Sequence, residues 1–159
     1  MATWREAESA SGSGDVTEVL APSEMKRFCR TRVVVAEDCD ELGHVNNVTW
    51  VRFVVELAVA HSNAIGFDAA RYRELGAVWI VHRHEIDYRA PALPAELLEE
   101  ETWVAEMRGA RCVRSSRIRR PADGALLLEA ATTWVWADVR SGRPRRIPDL
   151  VHAAFVTDG

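Results

Sequence analysis

One segment constrains this chain more than any other. From Val48 to Ala60 every residue is apolar except Thr49, Arg52 and Glu56. Those three, together with Asn63, recur at spacings of three, four and seven, so on a helix they form one narrow polar stripe. A helix over Val48–Asn63 is therefore buried on most of its circumference. It is too short, and too charged along that stripe, to span a membrane. Its β-branched residues also suit a strand; length decides for helix. Asn46 or Asn47 stands at the N-cap.

The flanks of this helix read differently. The valine-rich stretch Arg32–Ala36 predicts a strand before it. Gly66 and Asp68–Gly76 form a connection with room for a helical turn. From Val78 onward, long strands follow. Val78, Ile80, Ile86 and Tyr88 share one parity, and Arg83, Glu85, Asp87 and Arg89 the other. Pro91 and Pro94 mark a turn, followed by strands over Leu97–Arg108, Cys112–Arg120 and Ala125–Val139. Asp123-Gly124 is a hairpin signal and Ser141-Gly142 a second turn. Pro148–Phe155 reads as a short closing helix. An uninterrupted run of strands favours antiparallel pairing, so the fold class is α+β, with a sheet of about five strands wrapped on one helix. One helix cannot cover so long a sheet. The remaining apolar surface, including Trp134 and Trp136, calls for a partner subunit.

Composition narrows the function classes. The chain has 159 residues, 48% hydrophobic and 28% charged, as expected for one soluble domain with a sizeable core. A net charge of −4 argues against a general nucleic-acid binder. The positive charge is gathered in two acid-free runs, Arg108–Arg120 and Arg140–Arg146, while Glu96–Glu106 is acidic. Cys29, Cys39 and Cys112 have no metal-type spacing and read as reduced thiols of a cytoplasmic protein. The first 25 residues carry a Ser-Gly-Ser-Gly patch and no apolar signal core. They read as a loose tail, leaving 26–159 as the folded domain.

Chemistry concentrates just before the helix. Glu37, Asp38, Asp40 and Glu41 crowd one end of a loop, and Gly43, His44, Asn46 and Asn47 complete it. Carboxylates beside a helix N-terminus sit near unpaired backbone N–H groups, which could supply a base or nucleophile and a place for a developing oxyanion. Each residue also has a plainer reading. Asp40 could be a turn or capping aspartate. His44 could orient Asp40 or pack on the helix start. Asn46 and Asn47 could serve as caps, and Asp38 could be solvated or bonded to the loop backbone. Glu56 is a rival carboxylate, though its stripe suits a salt bridge. His82 and His84 lie two apart on a strand without a third ligand, so a polar face outweighs a metal site.

Asp38-Cys39-Asp40, then Gly43-His44-Val45-Asn46-Asn47, then Trp50 and Phe53, resembles the signature of hotdog-fold acyl-CoA thioesterases of the hydroxybenzoyl-CoA thioesterase-like branch. Asp87-Tyr88-Arg89-Ala90-Pro91 and Arg143-Pro144-Arg145-Arg146-Ile147-Pro148 extend the likeness over roughly residues 28 to 155. The resemblance implies that Asp40 attacks a thioester carbonyl or activates water. It assigns catalytic roles to Asp40, His44 and Asn47, with the oxyanion held near the N–H groups of Asn47 and Val48. It implies substrate contacts at Gly43, Asn46, Val48 and Trp50. No metal and no cofactor are implied, coenzyme A being part of the substrate. The implied partners are an acyl-CoA or acyl-carrier-protein thioester and a second copy of the chain, in a homodimer or homotetramer, without nucleic acid or membrane. Departures from relatives are Leu42 in place of an asparagine, Val55 in place of a glutamate and Trp50 in place of a tyrosine. Two other functions compete: a hotdog dehydratase, whose motif is not visible, and a non-catalytic acyl-thioester binding module. The arginine runs suit the phosphates of coenzyme A or a solvated strand face.

Overall fold

The computed structural model describes residues 26–155. The tail expected over residues 1–25 lies outside them. In chain order come β1 (Arg27–Val33), a 3₁₀ turn (Ala36–Asp38), α1 (Asn47–Ala64), α2 (Ala69–Glu74), β2 (Ala77–Tyr88), β3 (Leu97–Arg108), β4 (Arg111–Arg120), β5 (Ala125–Asp138) and α3 (Asp149–Ala154). All five strands form one antiparallel sheet in the order β1-β3-β4-β5-β2.

The long helix forms where the apolar run predicts it and lies on one face of this sheet. Asn46 caps it, its Oδ1 accepting the Thr49 N–H at 2.8 Å. Its inward residues Trp50, Phe53, Val54 and Leu57 are 3% exposed or less. Trp50, Phe53 and Val54 meet the inner face of β3, β4 and β5 through Leu98, Ile118 and Leu128, and Val34 joins them from the end of β1. A second apolar cluster fills the other end, with Phe67, Val104, Trp136, Val151 and Phe155. Burial of this kind is worth about 1.5–3 kcal/mol per large side chain.

Three expectations need correction. The first strand is Arg27–Val33, not Arg32–Ala36. The valines mark its end: Val34 is buried, whereas Val33 and Val35 are half exposed. The strand itself carries no apolar alternation because Arg30 and Arg32 stand next to Glu100 of β3. The Glu100 carboxylate is fully buried, bonded to Arg30 and, at 2.6 Å, to Arg32. Second, the single parity expected for Val78, Ile80, Ile86 and Tyr88 is broken. A bulge between Val81 and Arg83 shifts the register with β5. Trp79 is therefore paired with the buried Trp136, yet Ile86 with Ala130 and Tyr88 with Leu128. A bulged residue exchanges the two faces of a strand. Third, Trp134 and Trp136 are not outer apolar surface. Trp136 is fully buried and Trp134 half-buried, both on the helix side.

The exposed apolar surface lies elsewhere. On α1, Val48 is 80% and Val59 50% exposed, with Val51 and Val55 half-buried between them. Spaced three and four apart, they make one uncovered helix stripe. Beside it, β2 is an edge strand of twelve residues paired on one side with β5.

Candidate active site

The acidic loop is tied down at both ends. Cys39 and Val45 form an isolated antiparallel bridge, the Asp40 N–H donates to the His44 carbonyl at 3.1 Å, and the Gly43 N–H donates to the Asp40 carbonyl at 2.9 Å. Gly43 closes this turn at φ +79°, a conformation that side chains other than glycine resist. Val45 is buried and its N–H reaches the Ala92 carbonyl at 3.0 Å, anchoring the loop to the turn before β3.

Within this turn Asp40 is exposed. One carboxylate oxygen, Oδ1, accepts the Leu42 N–H at 2.9 Å. The other has no hydrogen-bond partner among the described residues, so it is free to act on an incoming group. Seven residues on, α1 begins. The Asn46 N–H donates to the Asp38 carbonyl at 3.1 Å, and Asn46 Oδ1 takes the Thr49 N–H. The N–H groups of Asn47 and Val48 have no acceptor among the described residues, and both residues are exposed. A carboxylate and two open helix N–H donors thus belong to one short loop, as a reaction that builds negative charge on a carbonyl oxygen requires.

Other loop residues are placed as follows. Asp38 is buried, not solvated. Its Oδ2 accepts the Val35 N–H at 3.1 Å and its Oδ1 an Arg52 N–H at 2.5 Å. His44 is half-buried, with Nδ1 3.4 Å from the Val45 carbonyl. Trp50 lies in the core beneath the loop, edge-on to Phe53 with ring centroids 5.7 Å apart. The Tyr88 hydroxyl donates to the Asn47 carbonyl at 3.4 Å, bringing the end of β2 to the helix start.

The rival carboxylate is engaged. Glu56 pairs with Arg32 at 2.7 Å and Arg52 at 3.5 Å. With Glu100–Arg32 and Arg52–Asp38 this makes a chain of ion pairs running from the sheet, across α1, to the loop that carries Asp40. Of these pairs the sequence shows only Arg52–Glu56, four apart on the polar stripe of α1. His84 bonds Thr132 Oγ1 at 2.9 Å, and no group of three or more His, Cys, Asp or Glu among the described residues could hold a metal. The run Arg108–Arg120 is acid-free in sequence but not in space. Arg117 meets Glu129 at 3.1 Å, and Arg120 meets Glu96 at 3.1 Å and Asp123 at 2.8 Å. Arg114 points inward and is buried. The three cysteines are free thiols, and no helix among the described residues is long and apolar enough to cross a membrane.

Comparison with known proteins places this geometry. The model of the thioesterase-like superfamily matches residues 34–155. This chain belongs to the thioesterase-like superfamily. Over 122 residues it is 29% identical to the acyl-CoA thioester hydrolase YbgC of Escherichia coli, covering 77% of this chain and 90% of that protein. Its fold is the hotdog fold of solved thioesterases. A 1,4-dihydroxy-2-naphthoyl-CoA thioesterase from Synechocystis superposes with a TM-score of 0.75 at 18% identity, over 82% of this chain and 96% of that one. A chain from Lactobacillus plantarum described as an oleoyl thioesterase gives 0.78 at 20% identity; this superfamily member covers 82% of its own length and 51% of that longer chain.

Proposed function

We propose that the protein hydrolyses the thioester of an acyl-CoA, releasing the free acid and coenzyme A. The observation that carries this reading is the Asp40 carboxylate, one oxygen held and one free, in a loop that leads straight into the open N–H groups of Asn47 and Val48. The similarity to a named acyl-CoA thioester hydrolase supports the same substrate class.

In the general-base form, Asp40 takes a proton from water as the water oxygen bonds to the thioester carbon. The carbonyl oxygen becomes an oxyanion facing the N–H groups of Asn47 and Val48. Collapse re-forms the carbonyl and breaks the carbon–sulfur bond, and the thiolate leaves with the proton. In the nucleophilic form, Asp40 itself bonds to that carbon, the carbon–sulfur bond breaks and the thiolate leaves; water then cleaves the resulting anhydride, its protons going to the thiolate and to solvent as two carboxylates form. Gly43 gives the loop its turn, Asn46 fixes the helix start, the His44 carbonyl accepts the Asp40 N–H, and Trp50 lies in the core beneath. Two cavities among the described residues, of about 510 and 540 Å³, lie away from these residues. The acyl group is therefore proposed to lie against a second copy of the chain, which also covers the Val48–Val59 stripe in a homodimer.

Thiol release from a panel of acyl-CoA substrates tests the activity, and absence of release across the panel would leave a binding module. Single turnover in ¹⁸O-water tests the nucleophilic form: label in the Asp40 carboxylate shows that the anhydride formed on Asp40. An enoyl thioester should not be hydrated.

A further inference from the structure

The 510 Å³ cavity lies between the C-terminal half of α1, α2, and the facing ends of β2, β4 and β5. Ser62 on its wall is sixteen positions beyond Asn46, about 24 Å along the axis at ~1.5 Å per residue, so within one chain it is remote from Asp40. Its walls are mainly apolar: Ala58, Phe67, Trp79 and Phe155 among them. Three donors meet there. Arg114 is 5% exposed, and its charge faces no carboxylate within ion-pair distance among the described residues. One N–H group sits 2.8 Å from His61 Nδ1, and the guanidinium lies 5.3 Å from the Phe155 ring centroid. The indole N–H of Trp134 is buried without any hydrogen-bond partner. The Tyr72 hydroxyl is buried too, with Ser62 and Trp79 beside it but none of its neighbours in full hydrogen-bond geometry.

No neighbour supplies the missing negative charge. Burial and the Arg114 charge hold His61 down to about 4, so near neutrality it is an uncharged acceptor. Burial pushes the Cys112 thiol up to about 11 and raises the Tyr72 hydroxyl, so both stay protonated. An isolated buried cation and two orphaned donors are each costly unless something completes them.

We propose that this cavity binds an apolar molecule with a terminal carboxylate, whose oxygens accept from Arg114, Tyr72 and Trp134. A planar guanidinium matches a carboxylate in geometry as well as charge. A volume of this size suits a medium-length acyl chain or a substituted aromatic acid. The carboxylate comes either from a free acid or from the far end of an acyl thioester; the second source rests on the hydrolytic reading, the first does not.

The test is a titration of the full-length protein followed by tryptophan fluorescence, since Trp79 and Trp134 line the cavity. The probes are hexanoate and phenylacetate, each against its amide. Saturable quenching by the acids and not the amides is expected. Arg114→Met, which exchanges the charge for a side chain of comparable bulk, and Tyr72→Phe, which removes one oxygen, should each weaken acid binding by about tenfold or more. Amides binding as tightly as acids, or Tyr72→Phe leaving acid affinity unchanged, overturns the proposal, and neither result depends on Arg114→Met folding. Asp40→Asn should bind the acids like the parent protein, so failure of the hydrolytic reading leaves this test intact. The sources separate by kcat/KM. A preference for carboxyl-ended over methyl-ended acyl-CoA that disappears in Tyr72→Phe assigns the site to the acyl tail. No preference, with acid binding intact, assigns it to a free acid.

Discussion

Asp38 and Asp40 are two residues apart and do different things. Asp40 is exposed with a free oxygen. Asp38 is buried and holds both the Val35 N–H and Arg52. Asp38 is therefore a positioning residue for the loop. Asp38→Asn should lower stability by about 1–3 kcal/mol, the range for a buried hydrogen bond to a charged group, and reduce kcat more than it changes KM. Urea unfolding and steady-state kinetics check this; unchanged kcat with a shifted urea midpoint would make the pair purely structural. His61 gives a pH signature. Its ordinary value near 6.5 is lowered to about 4 by burial and by the Arg114 charge. Between those values the unfolded chain binds a proton that the folded chain does not. The neutral histidine thus contributes stability in full above about pH 6.5, and this is lost as pH falls to about 4, on the order of 3 kcal/mol. His61→Gln keeps an acceptor for Arg114 and cannot titrate, so its stability should vary less with pH across that window, as measured by urea midpoints. The motif residues were legible in the sequence because each acts locally, through a turn, a cap or a helix start. Arg114, Tyr72 and Trp134 were not, because three elements, α2, β4 and β5, must fold before their donors meet.

At the scale of elements, α1, β3, β4 and β5 were read within a residue or two, since their patterns depend on one packing face or on a hairpin turn. β1 was displaced because its inward arginines are neutralised by Glu100, a partner about seventy positions away that no local pattern reveals. The β2 faces were misassigned because one bulged residue exchanges them and leaves no trace in composition. The helix stripe Val48, Val51, Val55 and Val59 carries its own prediction. Val59→Asp puts a charge at one end of the proposed subunit contact and should shift the protein toward monomer in sedimentation velocity. A parent protein that sediments as a stable, fully active monomer would remove that contact.

For the whole molecule, charge placement bears on the thiol carrier. Two arginines of the run Arg108–Arg120 are committed to acids, Arg117 to Glu129 and Arg120 to Glu96 and Asp123. The loop Arg140–Arg146 is exposed, and Arg145 lies 3.6 Å from Asp138. We assign the nucleotide phosphates of coenzyme A to that loop and to the exposed Arg108, Arg111 and Arg119. Exposed contacts of this kind are screened as the Debye length falls from ~10 Å at 0.1 M salt to ~3 Å at 1 M. KM for acyl-CoA should rise with salt while kcat holds, and a truncated pantetheine thioester should show little salt response. Equal responses for the two substrates would favour an acyl-carrier-protein thioester. The measurement that tests the central claim most directly is thiol release by Asp40→Asn beside Glu56→Gln, with fold and assembly checked in both. The account predicts that Asp40→Asn loses turnover by at least ~10²–10⁴, the span of acid–base assistance, while Glu56→Gln changes it little. Near-parental release by Asp40→Asn, or a dead Glu56→Gln, would contradict it.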